Sequence, residues 1–155
     1  MTTHPAYPRA WQNPVDLRPS AALEAAGAWD TAPVAVRVSD ATRMSLALTY
    51  TRGGAGGAFD WYIEISYAGV AATLPTGAAE WDEMALYASG PVAAGADSQS
   101  RIQMEFITFQ PLTVNAETFT WDIELDGTVE RVRILARESG AVGTPGTLQV
   151  TAIII

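Results

Sequence analysis

A chain of 155 residues with 48% hydrophobic and 17% charged residues has the composition of one globular domain rather than a disordered segment. Its formal net charge of −8 argues against nucleic-acid binding, which needs clustered cations, and the absence of cysteine excludes disulfides and thiolate chemistry. Because no apolar run approaches about 18 residues and no basic-then-apolar stretch opens the chain, we expect neither a membrane span nor a signal peptide.

Residues 1–33 are predicted to form a proline-rich N-terminal arm. Five of the nine prolines fall here, and proline fixes φ and removes a backbone donor, which predicts an extended, partly polyproline-like conformation. A two-turn helix is predicted over 20–26, with Ser20 as its cap and Gly27 as its end. The arm also carries Tyr7, Arg9, Trp11 and Trp29, and the aromatic side chains among these are unfavourable when left exposed to water. We therefore expect it to pack on its own domain or on a neighbouring subunit.

From Val34 onward the alternation of apolar and polar residues predicts β-structure. Two strongly alternating runs, 44–51 and 58–67, flank a glycine-rich loop, and counting outward from it predicts an antiparallel hairpin. The apolar face of that hairpin would hold Met44, Leu46, Leu48, Tyr50, Phe59, Trp61, Ile63 and Ile65. Because a two-stranded hairpin cannot repay the entropy of its own ordering, we expect a second sheet to cover this face.

Further alternating segments follow near 84–88 and at 101–109, 117–125, 128–138 and 147–155, with the later prolines between them. About eight strands at regular spacing predict an all-β, antiparallel β-sandwich, jelly-roll-like, with the extended arm in front. The domain prediction is thus an arm of residues 1–33 and a sandwich domain of residues 34–155. The Asp126-Gly127 turn leaves two possibilities open: a two-residue hairpin, or a crossing from one sheet to the other.

The last strand is apolar on both faces. Leu148, Val150, Ala152 and Ile154 lie on one side, and Ile153 and Ile155 on the other. Such a strand needs cover from another subunit or from the arm, which predicts an oligomer. The predicted subunit or capsid contacts are Tyr7, Arg9, Trp11, Trp29, Ile153 and Ile155.

Few residues point to catalysis. His4 is the only histidine, so neither a Ser-His-Asp site nor a zinc site is predicted. The loop 52–57 lacks the lysine and following helix of a phosphate-binding loop and is interpreted as a flexible hairpin tip. We predict no catalytic residues, no cofactor and no bound metal.

Acidic residues form two groups. Glu80, Asp82 and Glu83 are interpreted as a solvated turn, with a Ca²⁺ site as the alternative. A second group on the wetter face of one strand, Asp122, Glu124 and Asp126, is expected to form cross-strand ion pairs with Arg131 and Arg133 rather than a glycosidase pair.

Five aromatic residues fall outside the predicted core or remain undecided: Trp11, Trp29, Tyr62, Trp81 and Tyr87. We expect these rings to be buried at contacts within or between subunits. The alternative is that they stack on sugars, as in carbohydrate-binding modules.

Four segments resemble small structural proteins of tailed bacteriophages: LALTYTRGGAGGAF at 46–59, GTVERVR at 127–133, RESG at 137–140 and GTPGTL at 143–148. With the intervening strands, the resemblance covers roughly residues 34–152 and carries no catalytic residues. It implies a non-enzymatic virion component, either a capsid decoration (cement) protein on the capsid exterior or a related head or tail protein. Such proteins are often trimers.

The expected partners are other copies of the chain and the major capsid or another virion protein. Neither nucleic acid nor membrane is expected as a partner. The resemblance also implies assembly in the host cytoplasm. The alternative function is a carbohydrate-binding β-sandwich module on a phage fibre or a secreted assembly.

Overall fold

The computed structural model describes residues 14–24, 27–54, 57–67, 81–84, 86–89, 101–112, 115–140 and 143–155, with backbone only for 86–89 and 101–104. Within these ranges the strands are β1 Val15–Ala22, β2 Val36–Arg37, β3 Arg43–Thr51, β4 Phe59–Tyr67, β5 Asp82–Glu83, β6 Leu86–Ser89, β7 Arg101–Met104, β8 Ile107–Phe109, β9 Glu117–Glu124, β10 Val129–Glu138 and β11 Thr147–Ile154. None of the described residues belongs to a helix long and apolar enough to cross a membrane.

The strands form two antiparallel sheets that pack face to face as a β-sandwich, so the predicted fold class is confirmed. The four-stranded sheet has the order β1-β11-β3-β9. The five-stranded sheet has the order β2-β10-β4, with β5 and β8 placed end to end along the other edge of β4. A separate two-stranded ribbon pairs β6 with β7.

The connections give this sandwich the topology of a jelly roll. From β1 to β4 successive strands lie in alternate sheets, and the same alternation returns from β9 to β11. Because β5 and β8 share one position beside β4, the two sheets hold eight strand positions, as a jelly roll requires. The break in that shared strand falls between Met84, which donates to the carbonyl of Ile63, and Ile107, which lies opposite Trp61.

The predicted pairing of β3 with β4 is wrong, although the predicted core is confirmed. All eight apolar side chains of the two strands are buried. However, β3 pairs with β11 and β9, whereas β4 pairs with β10, β5 and β8 in the opposite sheet. The two strands therefore face each other across the core, with the Tyr50 and Phe59 rings 4.8 Å apart. Alternation determines which side chains point inward, but it does not determine which strand is the neighbour.

The Asp126-Gly127 turn, for which the sequence left two possibilities open, is a crossing between the sheets. β9 lies in the four-stranded sheet and β10 in the five-stranded sheet, so Asp126-Gly127 carries the chain between them. The Asp126 carboxylate accepts a hydrogen bond from the Thr128 amide at 2.9 Å, and the Asp126 carbonyl accepts one from Val129. The hydrogen bond from the Thr128 amide lowers the pKa of the Asp126 carboxyl.

The arm is described from Pro14, and its next eight residues form β1 at the edge of the four-stranded sheet. Its pairing with β11 has register shifts on both sides of Arg18, which suits an edge strand containing Pro19. The predicted helix over 20–26 is wrong, because Ser20 to Ala22 belong to this strand. Within residues 14–33 the expected packing on the chain's own domain is therefore observed, with Leu17 and Leu23 buried in the core.

A buried ion pair fixes β1 to the following segment. The guanidinium of Arg18 donates to both carboxylate oxygens of Asp30, at 2.9 and 3.1 Å, and the same carboxylate accepts the amide of Ala136 at 3.1 Å. Arg18 is only 8% exposed. Breaking one partner of such a pair leaves a buried charge, so this contact ties the second half of the predicted arm to the sandwich.

One end of the sandwich is closed by buried polar contacts, and we call it the sealed end: Tyr50, Gly53, Glu138 and Gly146. The Glu138 carboxylate is fully buried, and it accepts hydrogen bonds from the Tyr50 hydroxyl at 2.6 Å and from the Gly146 amide at 3.1 Å. Tyr50 belongs to one sheet and Glu138 to the other, so these bonds connect the two sheets. Burial, together with the neighbouring Glu138, raises the pKa of Tyr50.

Two glycines of the sealed end allow close approach of neighbouring groups. A Cβ on Gly146 would lie 2.3 Å from the Tyr50 ring, and one on Gly53 would lie 2.3 Å from the carbonyl oxygens of Thr144 and Pro145. The loop that contains Gly53 therefore is not a hairpin tip; it crosses between the sheets and packs on the loop before β11.

Candidate functional site

The opposite end of the sandwich, which we call the open end, is formed by Val15, Thr42, Arg43, Ile153 and Ile155. Val15 pairs with Ala152. Because the two strands are antiparallel, Pro14, the first described residue, comes opposite Ile153 and beside the last residues of the chain. The point at which residues 1–13 are attached therefore lies next to Ile153 on the C-terminal strand.

The backbone at the open end is well paired, whereas its apolar side chains are not well covered. The carbonyl of Ile155 accepts hydrogen bonds from the amides of Thr42 and Arg43 at 2.7 and 3.0 Å, and its amide donates to Arg43 at 2.8 Å. Val15 is nevertheless 37% exposed and Ile153 38% exposed. The described part of the arm covers the edge of β11 rather than its outer face.

A second candidate site lies on the outer face of the five-stranded sheet. Here a pocket of about 430 Å³, which we call the aromatic pocket, opens where the strand beside β4 is interrupted. It is lined by Trp29, Tyr62, Glu83, Glu105, Phe106 and Arg137. The volume and the aromatic lining are within the range of small-ligand sites.

The three rings of the aromatic pocket hold one another edge to face. The Trp29 ring lies 4.7 Å from Tyr62 at an interplanar angle of 89°, and 5.8 Å from Phe106 at 65°. Perpendicular arrangements of this kind are favourable for aromatic pairs. Tyr62 stands on β4, whereas Trp29 and Phe106 come from the segments before β2 and before β8.

Arg137 lies against the rings and is already paired. Its guanidinium carbon is 4.3 Å from the centre of the Trp29 ring and 4.9 Å from that of Phe106, which are cation–π distances. Its Nε donates to Asp60 at 2.9 Å, and the Asp60 side chain is 4% exposed. Thr108 also donates to Asp60, at 2.7 Å. Arg137 is thus a fixed part of the wall with its charge neutralised.

Two carboxylates border the pocket. Glu83 and Glu105 are both exposed, and neither side-chain carboxylate makes a hydrogen bond or an ion pair with another described residue. Burial of Tyr62 raises the pKa of its hydroxyl, and the carboxylates of Glu64 and Glu83 raise it further. Glu83 therefore lies close enough to act electrostatically on the Tyr62 hydroxyl.

Trp81 lies elsewhere on the same outer face, below two arginines. The guanidinium of Arg133 is 4.2 Å from the Trp81 ring centre and that of Arg131 is 5.3 Å away. Arg133 also donates to Glu64 at 2.5 Å. Half-buried under these side chains, Trp81 packs within the chain, as Trp29 does.

The predicted contact residues have different outcomes. Tyr7, Arg9 and Trp11 lie outside the described residues, as do Glu80 and the side chain of Tyr87. Ile153 and Ile155 lie together at the open end, whereas Trp29 lies in the aromatic pocket. Phe106 and Arg137 were missed as pocket residues, because they meet Trp29 only through contacts distant in sequence. The one available signal was that Trp29 and Tyr62 fell outside the core pattern.

The predicted ion pairs of the acidic group are wrong, because β9 and β10 lie in different sheets. Asp122 instead binds residues of β3: it pairs with Arg43 and accepts a hydrogen bond from Ser45 at 2.5 Å. The Ser45 bond first, and then Arg43, lower the pKa of Asp122.

Across the described residues, no group of three or more His, Cys, Asp or Glu side chains is placed to hold a metal ion. No family model, no curated protein and no solved structure matches this chain.

Proposed function

We propose that this chain is a non-enzymatic structural protein of a tailed-bacteriophage virion, a capsid decoration (cement) protein or a related head or tail component. The resemblance of four segments to such proteins supports this proposal, and so does the jelly roll, an architecture used in viral capsids. The favoured place is the capsid exterior, after assembly in the host cytoplasm.

The observation that carries the proposal is the adjacency of two contact elements at the open end. Pro14, to which residues 1–13 with Tyr7, Arg9 and Trp11 are attached, lies opposite Ile153, which is 38% exposed. Two aromatic rings within residues 1–13, attached at the end of the sandwich where Val15 and Ile153 are exposed, are suited to contact a neighbouring subunit. In this proposal the open end joins copies of the chain, with three copies favoured, and the assembled unit contacts the major capsid or another virion protein.

Other apolar side chains fit this role less well. Leu112 is 91% exposed and Val34 44% exposed, but each is a single residue. Scattered apolar residues are normal on protein surfaces. Among the described residues, exposed apolar side chains of two paired strands, Val15 and Ile153, lie together at the open end, where residues 1–13 are attached.

The test is the oligomeric state measured by light scattering on the purified protein. We expect a trimer at micromolar concentration and a monomer for Ile153→Asp, since a charge there would be buried at the contact. Thr120→Asp, on the same outer face but on β9, is the matched control and should remain trimeric. A monomeric wild-type protein, or a trimer that tolerates Ile153→Asp, contradicts the proposal.

The virion assignment needs its own experiment. Antibodies raised against the purified protein should label the surface of intact virions of the source phage in electron micrographs. Labelling of disrupted particles only would contradict the exterior location, and its absence from purified particles would contradict a virion role.

A second function, carbohydrate binding, is favoured by one observation: three aromatic rings meet at a single pocket. Sugars stack on free ring faces, but Arg137 occupies one face of Trp29 and Arg133 one face of Trp81. A shift of tryptophan fluorescence across a glycan panel, lost in Trp29→Ala, would support this function in place of assembly alone.

A further inference from the structure

The charges around the aromatic pocket do not balance. Arg137 is the one cation of its lining among the described residues, and Asp60 neutralises it at 2.9 Å. Glu83 and Glu105 remain at the rim, exposed and without a described partner. Glu64 and Arg133, which also act on the Tyr62 hydroxyl, pair with each other. The described charges at the mouth of the pocket therefore sum to a negative value, which attracts cations and repels anions.

The walls of the pocket favour the same kind of ligand. Trp29 and Phe106 already contact one guanidinium, that of Arg137, at 4.3 and 4.9 Å. An aromatic face attracts a cation through its quadrupole, and a carboxylate adds a charge-assisted hydrogen bond. Rings and carboxylates placed together thus favour an organic cation over a neutral sugar, because the sugar can donate hydrogen bonds to the carboxylates but gains no charge–charge or cation–π attraction.

From this geometry we propose that the aromatic pocket binds a guanidinium or alkylammonium group. Glu83 and Glu105 supply the counter-charges, and Trp29, Tyr62 and Phe106 supply the walls. A volume of about 430 Å³ admits a group of side-chain size, not only a simple ion. The site is independent of the open end, so this proposal does not rest on the assembly role.

The group has two possible sources with the same chemistry. One is a small organic cation in solution. The other is an arginine side chain of a second copy of the chain, which contains no lysine.

The test uses the full chain labelled with ¹⁵N and two probes of nearly the same shape, one charged and one neutral. N-acetyl-arginine amide carries the guanidinium, and N-acetyl-citrulline amide is its neutral isostere. The Trp29 indole resonance, assigned with Trp29→Phe, and the Phe106 amide resonance are followed during titration. We expect a saturable shift with the arginine probe at millimolar concentration and at least about tenfold weaker binding of the citrulline probe.

Variants of the rim separate charge from shape. The double variant Glu83→Gln with Glu105→Gln keeps the side-chain volume and, because both side chains are exposed, should keep the fold. It should weaken the binding of the arginine probe about tenfold. Asp82→Asn, beside Glu83 but absent from the lining, is the matched control and should change binding less than about twofold.

Three outcomes would overturn the proposal: no saturable shift up to about 20 mM of the arginine probe, equal binding of both probes, or tighter binding of a neutral disaccharide. The two sources are distinguished by dilution without any probe. If a second copy supplies the arginine, dilution moves the Trp29 resonance toward its unbound position; if the ligand is a small cation, the resonance does not move.

Discussion

The two ends of the sandwich are made from the same strands and differ in how their last residues are satisfied. At the sealed end, Glu138 accepts hydrogen bonds from Tyr50 and Gly146 and is fully buried. At the open end, the backbone of Ile155 is paired with Thr42 and Arg43, but Ile153 is 38% exposed.

This difference separates what holds the fold from what is available for contacts. Removing a buried carboxylate that accepts two hydrogen bonds lowers the free energy of unfolding, because each lost bond leaves a buried polar group without a partner. The partly exposed apolar end of β11 costs little free energy in the single chain, and its burial under another surface would stabilise an assembly. We therefore expect substitutions at the sealed end to change stability and substitutions at the open end to change assembly.

The largest effect should come from truncation, because β1 runs from the open end to the sealed end. Val15 lies opposite Ala152 and Ala22 opposite Thr147. Deleting residues 1–33 removes this strand and the buried Leu17 and Leu23, and should leave a chain without cooperative unfolding in a thermal melt.

Deleting residues 1–13 is the control for this truncation. It should preserve the melting transition while abolishing the oligomer, because only the part beyond the open end is lost. If the longer deletion still folds cooperatively, β1 is not an integral strand of the sandwich, and the boundary at residue 33 separates two units.

Glu138→Ala should destabilise the sealed end by roughly 3 kcal/mol or more, since it leaves two buried donors without an acceptor at about 1–3 kcal/mol each. The measurement is urea unfolding. Glu130→Ala removes a half-buried carboxylate from the other end of the same strand and should cost less than about 0.5 kcal/mol. Equal losses of unfolding free energy in the two variants would show that the buried contacts of the sealed end do not contribute more to stability than a half-buried residue of the same strand.

Gly53→Ala should cost about 2–3 kcal/mol, because its Cβ would lie 2.3 Å from carbonyl oxygens of the facing loop, and backbone moves less readily than a side chain. Gly54→Ala is the matched control, since a Cβ there meets nothing within 4 Å. Denaturant unfolding of both variants checks the pair. A Gly53→Ala protein as stable as Gly54→Ala would mean that the two loops do not pack as described.

The smallest effect should be a dependence of stability on alkaline pH. Burial raises the pKa of Tyr50 in the folded protein above its unfolded value of about 10. The stabilising contribution of the neutral hydroxyl is therefore fully present below about pH 10 and is lost as the pH rises further. Unfolding free energies at about pH 9 and pH 11 should fall more for the wild type than for Tyr50→Phe, and parallel losses would contradict this assignment.

The core was predictable from alternation alone. Residues such as Leu48 and Trp61 were assigned to the interior because strand side chains alternate between faces, and both are fully buried. The jelly-roll class followed from the number and spacing of the strands. The proline-rich stretch 14–22 was read as an arm, because an edge strand that tolerates proline has no sequence signature distinct from an extended tail.

The candidate sites were predictable only in part. Ile153 and Ile155 were selected because their strand is apolar on both faces, and they lie at the open end as a pair. The aromatic pocket was not predictable, because Trp29, Tyr62 and Phe106 are brought together by contacts across more than thirty residues of sequence. Nothing in local periodicity encodes such a meeting.

The sequence by itself determined which side chains of β3 and β4 are buried, since burial there follows the two-residue period of an extended backbone. Only the tertiary structure decided that β3 and β4 face each other from opposite sheets, because one alternating pattern satisfies either a hairpin or a crossing. The same holds for Arg137, whose partners Asp60 and Trp29 are chosen by the packing of three separate segments.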